Sequence, residues 1–215
     1  MDALILAGGK STRMGGRHKG DLTYHSETFL EHLIGEFRKG IKQEPQQIMV
    51  SYGNKIHEKR DDVRIVMDEF HECGPIAGIH AGLCHCSSEE LMIAACDMPF
   101  LEIGFYRYLW QELVQAQMRN GCCYDGIVPV TAGKIHPIAA IYRCEPMRAV
   151  LERQIQKGDY RLTDALHALN IRYTDVTEQK DLCGMLQNIN TLTEYENLKM
   201  REGKTNERNI AGRGK

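Results

Sequence analysis

The run Ala3-Leu4-Ile5-Leu6, passing straight into a glycine-rich basic loop, constrains this chain more than any other stretch. Four consecutive apolar residues ahead of turn-forming glycines read as a buried strand. The loop that follows has glycines at 8, 9, 15 and 16 and cations at Lys10, Arg13, Arg17 and Lys19. Glycine lets backbone N–H groups turn toward a ligand with no Cβ in the way. A concave row of such groups, backed by Lys and Arg, is a phosphate cradle. A nucleotide site at the start of the sequence is the first expectation.

Period and punctuation then give strands alternating with helices. Thr28 to Phe37 carries Phe29, Leu30, Leu33, Ile34 and Phe37 at helical spacing, with Gly40 as a stop. Gln47 to Tyr52 reads as a strand, Asn54 to Lys59 as a short polar helix and Val63 to Met67 as a strand with Asp68 at its carboxyl end. Cys73-Gly74-Pro75-Ile76-Ala77-Gly78 opens a helix reaching about Cys84, where Pro early in the first turn fits. Leu91 to Cys96, the most hydrophobic strand, ends in Asp97-Met98-Pro99-Phe100. A helix through Leu101, Tyr106, Leu109, Trp110, Leu113 and Val114 follows, then strands Gly126 to Val130 and Ile135 to Tyr142 around a turn at Ala132-Gly133. Helices over Pro146 to Ile155, Leu162 to Leu169 and Thr191 to Met200 flank a late strand, Ile171 to Val176. This alternation predicts an α/β fold, a single three-layer α/β/α domain over residues 1–200 with a mainly parallel central sheet. In such sheets ligands bind past the carboxyl ends of the strands, where strand order reverses. The glycine loop, Asp68 and Asp97 all fall at such ends. Residues 201–215 are basic and nearly devoid of apolar side chains, so a disordered tail is expected there.

Hydrophobic residues at 42% and charged residues at 26% are those of a soluble globular protein. A net charge of -2 argues against bulk nucleic-acid affinity. No apolar run is long enough to span a bilayer and the N-terminus lacks a signal pattern, so a cytoplasmic protein without membrane contact is expected. Eight cysteines scattered through such a chain suit reduced thiols better than a disulfide framework. Cys84-His85-Cys86 beside His80 lacks a second Cys/His pair at zinc spacing, which favours buried or incidental cysteine over structural zinc.

Gly9-Lys10-Ser11-Thr12 invites a P-loop reading, but the required first glycine falls on Leu4. A P-loop NTPase, which would hydrolyse ATP or GTP without a second substrate, is therefore the runner-up from another mechanistic class. Asp97 after a buried strand could ligate Mg²⁺, which takes one or two protein carboxylates and completes its shell with phosphate and water. It could equally cap a turn before Pro99, and position alone leaves both readings open. Asp68 carries the same ambiguity. Lys19 is either a phosphate ligand or a surface lysine, and Arg13 is a better-placed loop cation than Arg17. His136, before Pro137 in an apolar strand pair, reads first as a hydrogen-bonded core histidine.

Taken in order, these motifs resemble a known family. Leu6-Ala7-Gly8-Gly9-Lys10-Ser11-Thr12-Arg13-Met14-Gly15-Gly16 followed by Lys19 looks like the signature of nucleotidyltransferases, and most closely of the molybdenum cofactor guanylyltransferase (MobA) family. Gly74-Pro75-Ile76-Ala77-Gly78, Cys96-Asp97-Met98-Pro99-Phe100, His136-Pro137 and Asn188-Ile189-Asn190-Thr191 are similar to later family elements. The resemblance implies a Rossmann-like domain of the glycosyltransferase-A-like fold that transfers GMP from MgGTP to the terminal phosphate of molybdopterin, releasing pyrophosphate. It implies nucleotide contacts from Leu6, Ala7, Gly8, Gly9, Gly15, Lys19, Asp68 and Asp97, with Asp97 holding Mg²⁺ and Lys19 and Arg13 serving catalysis on phosphate. Gly74, Pro75, Gly78, His136, Asn188 and Asn190 would meet the substrate, Asn188 and Asn190 on the pterin side. Partners implied are GTP, molybdopterin and other cofactor-biosynthesis proteins. Ser51 stands where the family often has Asn, a departure at one implied nucleoside contact. Leu192 replaces the usual Pro after Asn190-Thr191. A phosphate acceptor is already ionised near neutral pH, so the missing general base is expected and electrostatic alignment suffices. Rival readings are a cytidylyltransferase acting on molybdopterin or on a sugar or polyol phosphate, and a non-catalytic nucleotide-binding partner in a cofactor-assembly complex.

Overall fold

Side-chain direction along the first strand, β1 (Asp2–Leu6), sets the layers. Ala3, Ile5 and Ala7 enter one apolar cluster and Leu4 and Leu6 another on the opposite face, as a two-residue period requires. Both faces are therefore covered, which accounts for the unbroken apolar run in the sequence.

The computed structural model describes residues 1–8, 19–41, 47–53, 60–70 and 72–200. After β1 come a 3-10 turn at Lys19–Asp21 and a hairpin, β2 (Thr23–Tyr24) and β3 (Glu27–Thr28). Next are α1 (Phe29–Arg38), β4 (Ile48–Ser51), β5 (Arg64–Val66), α2 (Pro75–His85), β6 (Glu90–Ala95) and α3 (Ile103–Asn120). The second half holds β7 (Gly126–Thr131), β8 (Lys134–Ile135), β9 (Ala140–Arg143), α4 (Cys144–Lys157), α5 (Leu162–His167), β10 (Ile171–Asp175) and α6 (Lys180–Met185). A last helix, α7, spans 192–200.

The strands run in the order β10-β7-β9-β6-β1-β4-β5, with β8 paired on β7. β1 is parallel to both β4 and β6, β4 to β5 and β10 to β7, while β9 runs against β6 and β7. Helices α1 and α3 cover the Ala3–Ile5 face and α2, α4 and α5 the other. This is the expected α/β/α sandwich with a mainly parallel sheet. From β1 the chain moves outward to β4 and β5, then returns to the far side of β1 as β6. The reversal of direction beside β1 opens a crevice at the carboxyl ends of β1, β4 and β6.

Local chemistry explains the element boundaries. The Thr28 hydroxyl accepts from the Glu31 N–H at 3.1 Å and caps α1, whose Phe29, Leu30, Leu33, Ile34 and Phe37 are buried. The single strand expected over Ile135 to Tyr142 is instead two, β8 and β9. Between them Ala139 N donates to His136 O at 3.1 Å in a tight turn, and Pro137 has no N–H to give a ladder. The hairpin at residues 23–28 and helix α6 were not anticipated from periodicity. The expected helix over Asn54 to Lys59 and the tail at 201–215 lie outside the described residues, as do Gly9, Arg13 and Gly15. A small cluster of Leu22, Phe29, Ile189 and Leu198, with Tyr24, Phe100 and Tyr195 against it, ties α7 to the hairpin.

Candidate active site

Two groups of side chains converge on the crevice. The first is centred on Asp97, in the turn that closes β6, where Met98 N donates to Ala95 O. Lys19 Nζ donates to Asp97 Oδ2 at 2.8 Å and also to Asn190 Oδ1, and Asn188 Nδ2 donates to Asp97 Oδ1 at 3.2 Å. Ile189 N donates to the Asp97 carbonyl at 2.8 Å, so the 188–190 segment is seated on Asp97 by backbone as well as side chain. That segment is held from behind by a capping box: Glu194 accepts from Asn190 N and Thr191 N, while Thr191 Oγ1 accepts from Glu194 N. Both Asp97 oxygens point at the cation and amide, and neither caps a helix; the position ahead of α3 belongs to Glu102, without a side-chain cap bond. The turn-cap reading of Asp97 is therefore set aside.

The second group lies on the other side of β1. Ala7 N donates to Ser51 O at 2.7 Å, carrying the β1–β4 ladder one residue past the strand. Ser51 Oγ donates to Asp68 Oδ1 at 2.6 Å and accepts from Gly53 N at 3.3 Å. A Cβ on Gly8 would stand 2.8 Å from Gly53 N, and one on Gly78 would stand 2.8 Å from Ser51 Oγ and 2.9 Å from Leu6 Cδ2. A side chain at 8 would meet backbone, and one at 78 would force Ser51 or Leu6 to shift. The contact at Gly78 sets the first turns of α2 beside the carboxyl ends of β1 and β4. Gly74, at φ 64°, turns the chain into α2 and Pro75 starts it. Burial pushes the Asp68 carboxyl above its ordinary range, and the Ser51 hydrogen bond works against that shift.

Two further side chains, His136 and Cys96, are held in their neutral forms. His136, half-buried, shares a 2.6 Å hydrogen bond with Thr131 of its own hairpin. Burial, then Lys134, lowers its pKa, so it stands neutral near pH 7. Cys96, next to Asp97, is buried and its thiol is pushed up to about 12 by burial and by the Asp97 charge, so it is no nucleophile. A cavity of about 300 Å³ opens between the hairpin and Pro99-Phe100, on the continuation of the two segments that carry Lys19 and Asp97. Among the described residues no group of three or more His, Cys, Asp or Glu is placed to hold a metal, and no helix is long and apolar enough to cross a membrane.

Lys19, Asp97, Asn188 and Asn190 are legible as candidates in the sequence but their mutual bonding is not, and Ser51 shows there only as a departure from the family pattern. Thr191-x-x-Glu194 was a readable capping-box signal for the segment that delivers the two asparagines.

A doubly covered sheet, a strand-order reversal and a lysine–aspartate pair at its mouth define a nucleotide-handling transferase of the α/β class. Residues 3–171 match the family described as the MobA-like NTP transferase domain, and the chain belongs to that family. A Clostridium perfringens (strain 13 / Type A) protein named "Probable molybdenum cofactor guanylyltransferase" is 28% identical over 202 residues, covering 91% of this chain and 94% of its own. The Yersinia pestis (strain Pestoides F) protein named "Molybdenum cofactor guanylyltransferase" is 28% identical over 189 residues, 87% of this chain and 89% of that one. The crystal structure of molybdopterin-guanine dinucleotide biosynthesis protein A from Archaeoglobus fulgidus superposes with a TM-score of 0.73 at 24% identity, covering 95% of this chain and all of that one, and shares its fold.

Proposed function

We propose that this nucleotidyltransferase moves GMP from GTP to the terminal phosphate of molybdopterin, forming the guanine dinucleotide and pyrophosphate. The observation that carries the reading is the Lys19–Asp97 pair at 2.8 Å, braced by Asn188 and Asn190 at the mouth of the crevice. In the reaction an acceptor phosphate oxygen forms a bond to the α-phosphorus while the bond from that phosphorus to the bridging oxygen of pyrophosphate breaks. The acceptor arrives ionised, so no side chain has to take a proton. What the chain must supply is alignment and positive charge.

Lys19 brings one compact cation with three donors, and Asn190 and Asp97 use two of them. Displacing either bond frees a donor for a phosphate oxygen. Asp97 offers two hard oxygens, each with a single hydrogen-bond partner among the described residues, which leaves lone pairs for a metal. That donor set fits Mg²⁺, which needs few protein ligands beside phosphate and water, and Asp97 would hold it. Bound there, the cation would neutralise triphosphate charge. On the opposite side, the backbone of Leu6, Ala7 and Gly8 and the carboxylate of Asp68 would take the guanosine.

The test is a panel of GTP, CTP, ATP and UTP with molybdopterin and Mg²⁺, scored for pyrophosphate. Release with GTP is expected. Release with CTP alone would overturn the guanylyl assignment, and none with any would overturn transfer to this acceptor. Asp97→Asn should lower kcat by at least about 10²-fold with an unchanged circular dichroism spectrum; near-normal turnover removes Asp97 from the centre.

A further inference from the structure

We propose that Ser51 is a positioning residue for nucleotide recognition, aiming the Asp68 carboxylate at the nucleoside without touching it. This rests on the reading of the site given above, in which Asp68 takes the guanosine.

Ser51 is 2% exposed. Its hydroxyl is used twice, donating to Asp68 Oδ1 at 2.6 Å and accepting from Gly53 N at 3.3 Å. Gly78 closes the remaining side, since a single added carbon there would lie 2.8 Å from Ser51 Oγ. With its donor spent on Asp68 and its side chain buried, Ser51 has no donor left for a ligand. The other Asp68 oxygen, Oδ2, lies 3.9 Å from where a Cβ on Gly53 would sit. Gly53 has φ +72° and carries no side chain, and among the described residues no other atom beyond its chain neighbours comes within 4 Å of that point, so the oxygen stands beside Gly53, whose backbone packs on Gly8. The fixed pair thus leaves one acceptor on the Gly53 side, next to Gly8. A nucleoside brings matching donors, the ribose hydroxyls and the ring N–H and amino groups of guanine.

An ionised Asp68 accepts these donors and a protonated one loses an acceptor. Burial raises its pKa and the Ser51 bond is the opposing influence, with no charged group of the described residues contributing. Removing the hydroxyl therefore moves protonation of Asp68 to higher pH.

The experiment is calorimetric titration of the full chain and its Ser51→Ala variant, using whichever of the four nucleoside triphosphates the wild type binds, across the acid range. Ser51→Ala removes an atom without creating a clash. It should weaken nucleotide binding about tenfold, shift the acid limb of binding to higher pH and leave the KM for acceptor unchanged. In an Asp68→Asn background the same change should cost little more, because both substitutions break one unit. Wild-type affinity and an unmoved acid limb in Ser51→Ala, or equal losses in both backgrounds, would overturn the assignment. A wrong base or acceptor shows in the wild-type panel, whereas a wrong role for Ser51 shows only in the variants.

Discussion

Gly78 and Gly82 lie one turn apart on α2 and both face β1, yet they guard different things. A methyl at 78 would stand 2.8 Å from Ser51 Oγ and 2.9 Å from Leu6 Cδ2; one at 82 would stand 2.6 Å from Leu4 Cδ2. Alanine gains up to about 1 kcal/mol over glycine in a helix interior, but overpacking a closed site costs about 1–3 kcal/mol. Ser51 cannot yield, since it is bonded on two sides, so the clash wins at 78. Gly78→Ala and Gly82→Ala should both lower the urea midpoint, and only Gly78→Ala should also weaken GTP binding. Equal GTP affinities in the two variants would separate Ser51 from recognition. The same residues mark the limit of reading sequence at this scale. Asp97 and Lys19 announce themselves by type and by place after a strand. Asn190, 171 residues from Lys19, bonds to it only because the fold folds back, and spacing carries no trace of that. Ser51 reads in the sequence as a lost contact because its partner, Asp68, lies just past the end of the next strand, 17 residues on.

At the level of elements, periodicity found those whose stability comes from a buried stripe. Helix α1 shows both sources of that stability, an apolar face and the Thr28 cap. Thr28→Ala strips the cap and leaves the stripe, so a loss of about 1 kcal/mol is expected from denaturant unfolding, with kcat unchanged. A loss well above about 2 kcal/mol would mean that Thr28 does more than cap. The hairpin between Lys19 and α1 escaped because its turn residues, His25 and Ser26, sit at φ 50° and 66°. Two-residue hairpins of that hand ordinarily signal themselves by Asn-Gly or Asp-Gly, and His-Ser sends no such signal. Helix α6 has no fully buried residue and therefore no stripe to detect. The break between β8 and β9 was written in Pro137, but an apolar run on both sides of it outweighed the proline.

For the whole molecule, the alternation of elements was enough to predict a covered parallel sheet, because each crossover helix imposes direction on the next strand. Strand order was not legible, and it is the order that places β1 between β4 and β6 and makes the crevice. The end of the sheet away from that crevice is closed by Asp2. Its side chain accepts from Gln47 Nε2 at 3.0 Å, Ser87 N at 2.8 Å, Ser87 Oγ at 3.1 Å and Ser88 Oγ at 2.8 Å. One carboxylate thus ties the start of β1 to the segments leading into β4 and β6. Burial opposes its ionisation, but the hydrogen bonds from Gln47, Ser87 and Ser88 together hold its pKa below the ordinary value of 3.8. A depressed carboxylate stabilises the fold above its unfolded pKa, and that contribution is lost as pH falls through the folded one. Asp2→Asn keeps one acceptor oxygen but turns an amide donor toward surrounding donors. At neutral pH it should cost about 1–3 kcal/mol, read from urea unfolding. The gap between wild type and variant should then shrink as pH falls below about 4, since the wild type is losing what the variant never had. A gap that stays constant into the acid range would show that Asp2 acts by shape and not by charge. Because Asp2 sits at the opposite end of β1 from Ala7 and Gly8, nucleotide affinity should be the same in both proteins.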